Sequence, residues 1–238
     1  MKLTKEGQLY QLAFMPSVFP INCYFVEEEE TLTLIDAALP YSAKGIISSA
    51  KKIGKPIGKI ILTHAHEDHV GALDALKSAL GEIPVYISKR DARLMENDRS
   101  LDAEEPQTPI KGGVPKKLIT RADGFLSDGE RIESLVAVSV PGHTPGSMAF
   151  FDTRTEMLIA GDAFQTRGGI AVAGDMKPLF PFPSFGTWSR ELALESARKL
   201  AGLKPKLLAC GHGVMLKEPL AVMEQAILHL ENKIVKGA

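Results

Sequence analysis

Thr63-His64-Ala65-His66-Glu67-Asp68-His69 is the stretch whose reading decides this chain. The apolar run Ile60-Ile61-Leu62 before it reads as a buried strand, and Val70-Gly71-Ala72-Leu73-Asp74-Ala75-Leu76 after it has helical spacing. Three imidazoles and the Asp68 carboxylate therefore fall where a strand ends and a helix begins. As packing, such a cluster is costly, because each buried polar group needs a partner. As metal ligands the same groups satisfy one another. Nitrogen and oxygen donors without a thiolate suit Zn²⁺ best, with Fe or Mn as the other occupants. Alternation along extended chain puts His64 and His66 on one side, while Asp68 and His69 enter the helix and point elsewhere. One short segment thus aims two pairs of ligands at adjacent points, as two metals roughly 3.5 to 4 Å apart require.

A second metal needs ligands from elsewhere. Of the six histidines, His143 in Val140-Pro141-Gly142-His143-Thr144-Pro145-Gly146 and His212 in Ala209-Cys210-Gly211-His212-Gly213 follow strand-like runs and are flanked by glycine, which lets the backbone turn tightly. Asp162 ends the apolar run Leu158-Ile159-Ala160-Gly161 in the same way. Taken alone, His212 reads as a loop histidine and Asp162 as a turn residue. Their joint occurrence with the first cluster carries the argument. His229 is left without a role and lies off the apolar stripe of its helix.

The order His-x-His-x-Asp-His, Gly-His-Thr-Pro-Gly-Ser, Gly-Asp, Gly-His over residues 64 to 212 resembles the metallo-β-lactamase superfamily of metallohydrolases. The resemblance implies an α/β (α+β) chain folded as a four-layer αββα sandwich, with 1–238 as one such domain. Position by position it implies that His64, His66 and His143 bind one metal and that Asp68, His69 and His212 bind the other, with Asp162 bridging. Family members also carry an Asp after an early strand. Asp36 is either that support for a metal-binding histidine or a polar residue capping a strand.

Composition agrees with a globular protein: 45% of residues are apolar and 24% charged, over a length that can bury an ordinary core. A net charge of −1 builds no basic field for phosphate backbones, so no nucleic-acid partner is expected. Cys23 and Cys210 are too few for a disulfide framework and read as buried thiols. No apolar run approaches the roughly 18 to 20 residues that span a bilayer, and the first residues lack a secretory signal. The expectation is a cytoplasmic protein with no membrane partner and a small-molecule substrate; a homodimer is left open.

In chain order, residues 8–14, 21–26 and 31–36 read as strands. A helix with the stripe Ala43, Ile46, Ile47, Ala50 and Ile53 stops at Gly54, and a second helix runs through Leu73, Leu76 and Leu80. After a strand at 84–87 and a short helical piece around Ala92, Leu94 and Met95, the proline-bearing stretch to 117 reads as a surface loop. Strands return at 135–140, 147–151 and 157–160, with Asp123-Gly124 and Asp128-Gly129 read as turns. Residues 163–187 show no clear period, and a loop of this length in a compact domain is usually functional. Its aromatics either plug the core or wall a substrate site. Because it follows Asp162, we expect Phe164, Gln165 and Arg167 to contact substrate, and Phe182 and Trp188, with Phe180 and Phe185, to form an apolar wall or lid. Thr187 is placed to cap a helix ending at Gly202, a strand at 206–210 delivers His212, and Leu220, Met223, Ile227, Leu230 and Ile234 stripe a closing helix.

Two metals with an open side lower the pKa of a shared water to about 7 and polarise a carbonyl or phosphoryl oxygen. Asp68 is the expected catalytic acid and base, holding the water and passing its proton to the leaving group. Hydrolysis of an ester-like bond (lactone, thioester or carboxyl ester, with a phosphodiester unresolved against them) in a small, partly apolar metabolite follows, with two Zn²⁺ as cofactors. His66 stands where diiron oxidoreductases of this resemblance carry Glu. Asp162 is not the metal-binding Cys of secreted β-lactamases. The runner-up activities are a mononuclear iron thiol dioxygenase and a metal-stabilised binding module without turnover.

Overall fold

The computed structural model describes residues 1–237. The chain forms two compact units, Met1–Asp98 with Gly113–Leu126, and Arg99–Gly112 with Ser127 onward.

The first unit is built on one seven-stranded sheet in the order β1-β2-β3-β4-β5-β6-β7: β1 (Lys2–Glu6), β2 (Leu9–Phe14), β3 (Ile21–Glu27), β4 (Leu32–Ile35), β5 (Ile57–Ile61), β6 (Val85–Ser88) and β7 (Gly124–Leu126). Strands β1 to β4 pair antiparallel through short turns, whereas β4 to β7 pair parallel. Parallel neighbours need crossovers. These are α1 (Ala43–Ile53), then α2 (Glu67–Val70) with α3 (Leu73–Leu80), then α4 (Lys89–Met95) with the long loop behind it. Helix α1 forms because Ile46 and Ala50 recur on one face and are buried, while Lys44, Lys51 and Lys52 stay exposed; it ends where Gly54 takes a left-handed φ of 87°. Leu32, Leu34, Ile35, Ile60, Ile61, Leu73, Leu76, Val85 and Ile87 complete the core.

Three expectations change here. Strand β1 pairs with β2 and was not visible in the pattern. The expected helix at 70–80 is two helices, because the Gly71 N–H goes out to Ala38 O at 2.8 Å and helix α2 stops. Asp123-Gly124 is no turn: Gly124 opens β7, and the Asp123 carboxylate accepts from Val85 N at 2.8 Å beside it.

The second unit carries a six-stranded sheet in the order β15-β14-β11-β10-β9-β8: β8 (Arg131–Ile132), β9 (Leu135–Ser139), β10 (Met148–Asp152), β11 (Met157–Ile159), β14 (Leu207–Ala209) and β15 (Leu216–Lys217). A separate small hairpin pairs β12 (Phe164–Gln165) with β13 (Ala171–Val172). The helices are α5 (Phe182–Gly186), α6 (Arg190–Gly202) and α7 (Leu220–Gly237). Ala193, Ala197 and Leu200 of α6 and Met223, Ile227 and Leu230 of α7 close a core with Val138, Ala149, Leu158 and Leu208 of the sheet. The predicted stripe on α7 therefore faces this core. Helix α6 begins two residues later than expected: Ser189, not Thr187, is its cap, accepting from Leu192 N at 3.3 Å.

Candidate metal site

In the first unit the site grows from two parallel neighbours. Strands β4 and β5 end side by side, and ligands gather at the carboxyl ends of such strands. Asp36 follows β4 and Thr63 follows β5. Asp36 accepts from Thr63 N through Oδ1 and from Thr63 Oγ1 through Oδ2, each at 2.8 Å, and Oδ2 lies 2.8 Å from His69 Nδ1. Asp36 itself has a left-handed φ of 62°, a conformation that Asp tolerates better than most residues. Asp36 is thus the support for a histidine rather than a mere strand cap.

Donor counting sets the imidazoles. An ionised carboxylate only accepts, so His69 carries its proton on Nδ1 and its lone pair on Nε2. The one hydroxyl proton of Thr63 goes to Asp36, so Thr63 Oγ1 accepts from His64 Nδ1, 3.0 Å away, and the His64 lone pair also falls on Nε2. The His64 ring packs 4.0 Å from that of His69 and 4.8 Å from that of His66, centroid to centroid. His66 caps α2 by backbone, with His69 N and Val70 N donating to its carbonyl at 2.9 and 3.0 Å. Asp68 in the first turn of α2 is the open member of the cluster, its side chain 28% exposed against 0% for His69.

A further support was missed in the sequence. Asp91, fully buried on α4, accepts from Ala65 N at 3.0 Å and so holds the backbone between His64 and His66. The signal was Ser88-Lys89-Arg90-Asp91, the spacing of a capping box, with Asp91 N donating to Ser88 Oγ at 3.1 Å.

In the second unit three loops deliver one candidate ligand each. Strands β9 and β11 both run antiparallel to β10, and β14 runs parallel to β11, so all three leave the same end of the sheet. Backbone pairing continues past β11 and β14, with Ala160 N to Ala209 O and Gly211 N to Gly161 O both at 2.8 Å. Asp162 and His212 are therefore carried out together. His212 Nε2 lies 3.2 Å and His143 Nε2 3.4 Å from the same oxygen, Asp162 Oδ2, and all three residues are buried. The glycines are needed where they stand. Gly142 has a φ of 142° and a Cβ there would lie 2.4 Å from the Ala193 backbone; Gly213, with a φ of 112°, would meet Arg167 N at the same distance.

Among the described residues, the side chains grouped so that they could take part in holding a metal ion are His64, His66, Asp68, His69, His143, Asp162 and His212. The donor set fits a divalent transition metal: imidazoles, three of which (His64, His69 and His143) have Nδ1 on a protein oxygen, and carboxylates, with no thiolate. Burial, and then the Asp162 charge, push the Cys210 thiol well above its usual range. His229 sits exposed on α7, 3.8 Å from Asp175.

The expected substrate contacts divide. Phe164 is 0% exposed within the hydrophobic core of the second unit. Gln165 is buried, its amide donating to Arg167 O and Phe180 O at 2.9 and 3.0 Å, which pins the loop. Trp188 is 4% exposed, with Nε1 donating to Thr108 O at 2.8 Å. Phe180 plugs the core beside the His212 ring, 5.3 Å between centroids. Arg167 is half-buried, and Phe182 and Phe185 are 51% and 63% exposed. The aromatic loop is therefore part core and part open apolar face.

Fold and donor groups together define a metallo-hydrolase type of protein. The family model of the metallo-beta-lactamase superfamily matches residues 16–212, and the chain belongs to that superfamily. The uncharacterized protein YobT of Bacillus subtilis is 55% identical over 227 residues, 95% of this chain and 97% of that protein. The probable metallo-hydrolase YflN of the same organism is 32% identical over 215 residues, 81% and 80% of the two chains. The solved structure of TTHA1623 in a di-iron-bound form superposes with a TM-score of 0.64 at 29% identity, over 88% of this chain and 95% of that one.

Proposed function

We propose that this protein hydrolyses an ester-like bond (lactone, thioester or carboxyl ester) in a small, partly apolar metabolite, with two metal ions at one centre. In this reading His64, His66 and His143 hold one ion, Asp68, His69 and His212 hold the other, and Asp162 bridges. The observation that carries it is Asp162 Oδ2, within 3.4 Å of two buried imidazole nitrogens. That placement supports a bridging role, since a cation held there would be shared by the carboxylate and the imidazoles. The ligand chemistry favours Zn²⁺, and the di-iron-bound relative makes iron the first alternative, with manganese after it.

Metal ions bound there would supply Lewis-acid polarisation of the scissile carbonyl and a water acidified to near neutrality. Asp68, the least buried carboxylate of the cluster, takes the proton of the attacking water and returns it to the leaving alcohol or thiol as the acyl bond breaks. Asp36 and Asp91 keep the cluster in place. The exposed apolar side chains Met176, Leu179, Phe182 and Phe185 support a substrate with an apolar portion, and Arg167 offers a cation to its polar end.

The test is metal analysis of the purified protein followed by a panel of lactones, thioesters and carboxyl esters, with Asp68→Asn as control. Two metals per chain, turnover of at least one class and loss of that turnover in Asp68→Asn are expected. A panel untouched with zinc, iron and manganese alike would leave a binding module. One iron per chain with oxygen uptake would point to dioxygenase chemistry instead.

A further inference from the structure

The expected helix cap at Thr187 is vacated, and its hydroxyl is employed elsewhere. Thr187 is buried; Oγ1 lies 2.7 Å from Pro183 O and 3.1 Å from His143 Nδ1. A carbonyl cannot donate, so the single hydroxyl proton goes to Pro183 O. Thr187 Oγ1 then meets His143 as an acceptor. The imidazole must carry a proton on Nδ1, and the neutral ring then presents its lone pair on Nε2, the atom that faces Asp162.

The backbone repeats the grip. Trp188 N donates to His143 O at 3.1 Å and Ser189 N to Gly142 O at 2.9 Å, so residues 187–189 run alongside 142–143 and hold both ends of the histidine. Pro183, which takes the Thr187 proton, belongs to α5, the helix that presents Phe182 and Phe185.

We propose that Thr187 is a positioning residue of the metal site: its hydroxyl selects the Nδ1–H form of His143, presents Nε2 as a ligand, and latches that ligand to the apolar segment of α5. The inference rests on the metal-site reading above, but its geometry lies wholly within one unit. Partners of this kind fix ring orientation and are worth about 10- to 100-fold in metal affinity. The Thr187 chain ends on a neutral carbonyl, whereas those at His64 and His69 end on the Asp36 carboxylate.

The experiment compares wild type, Thr187→Val, Thr187→Ala and Thr187→Ser. Zinc affinity is read by competition with a chromophoric chelator, and the His143 tautomer by long-range ¹H–¹⁵N correlation in metal-free protein. Val and Ala should weaken zinc binding by about 10- to 100-fold, lose the uniform Nδ1–H signal of His143, and keep a cooperative melt, while Ser restores both readouts. Affinity within about twofold of wild type together with an unchanged His143 tautomer in a folded Val or Ala variant overturns the proposal. A wild type that takes up no metal counts against the hydrolase reading, while the tautomer comparison still judges Thr187.

Discussion

The two ligand sets of this protein are made in opposite ways. In the first unit four candidate ligands, His64, His66, Asp68 and His69, come from one turn between a strand and a helix. In the second unit three candidate ligands come from three loops spread over residues 143 to 212, joined because β9, β11 and β14 end together. The contiguous set is held by charge, since Asp36 meets both Thr63 and His69. The dispersed set is held by neutral hydroxyl and backbone contacts around His143, and it crowds a carboxylate between two imidazoles. A local turn is fixed as soon as its strand forms. A set of separate loops depends on everything that packs them.

Metal removal should break this comparison most visibly. If the ions bind with a free concentration a thousandfold above their dissociation constant, chelation should lower stability by about 4 kcal/mol. The dispersed set should loosen first, because a carboxylate crowded by imidazoles is then left without its cation. Cys210 lies beside that set and Cys23 in β3 of the other unit; both thiols are buried and held protonated by burial. Thiol labelling after chelation should therefore reach Cys210 before Cys23. Equal rates would mean that the two sets are equally self-supporting.

Asp36→Ala tests the contiguous set. It strips three buried donor contacts, at Thr63 N, Thr63 Oγ1 and His69 Nδ1. A loss of about 3 kcal/mol in denaturant titration is expected, since each buried donor left unsatisfied costs about 1–3 kcal/mol before relaxation. A change under about 0.5 kcal/mol would show that charge does not hold this turn.

Gly142→Ala tests the dispersed set through its packing on α6. The φ of 142° and the 2.4 Å approach to the Ala193 backbone predict about 2 kcal/mol of destabilisation and weaker metal uptake. Gly129→Ala is the matched control: its φ is 79° but no atom lies within 4 Å, so about 1 kcal/mol and unchanged metal uptake are expected.

The smallest effect lies away from both sets. Glu27 on β3 accepts from Tyr10 OH at 2.9 Å and from Lys5 at 3.1 Å, and pairs with Lys55. The Tyr10 hydroxyl first, then the lysines, hold its carboxyl below the ordinary range. A depressed carboxyl contributes stability that is present above the unfolded value of about 4.3 and lost as pH falls through the folded one. Glu27→Gln should therefore cost about 0.5 kcal/mol at pH 7 and nothing at pH 3, without altering metal uptake. A cost that persists at pH 3 would assign the effect to packing.

Much of this architecture was readable in residue order. The largely apolar runs at 21–26, 59–62 and 157–160 became strands because segments so short, bounded by turn residues, are too brief for a helix and are buried within a sheet. The α7 stripe faced a core for the same reason. What misled were residues whose chemistry serves two ends. Thr187 reads as a cap because hydroxyls before helices usually are, yet Ser189 takes that place and frees Thr187 for His143. Asp123-Gly124 reads as a turn, yet its carboxylate ties β6 to the start of β7. Phe164 lies two residues after Asp162 and so reads as a site residue, and its side chain is fully buried in the core of the second unit.

The spacing of His64, His66, Asp68 and His69 determined by itself that the chain carries a cluster of groups able to hold a metal, because donors so close along the backbone cannot avoid one another. Which oxygen fixes each imidazole, and which aromatics stay open, were decided only by tertiary structure. Hydrogen-bond direction depends on partners 27 to 44 residues away, as between Thr63 and Asp36 or His143 and Thr187, and no local pattern encodes where a hydroxyl proton will go.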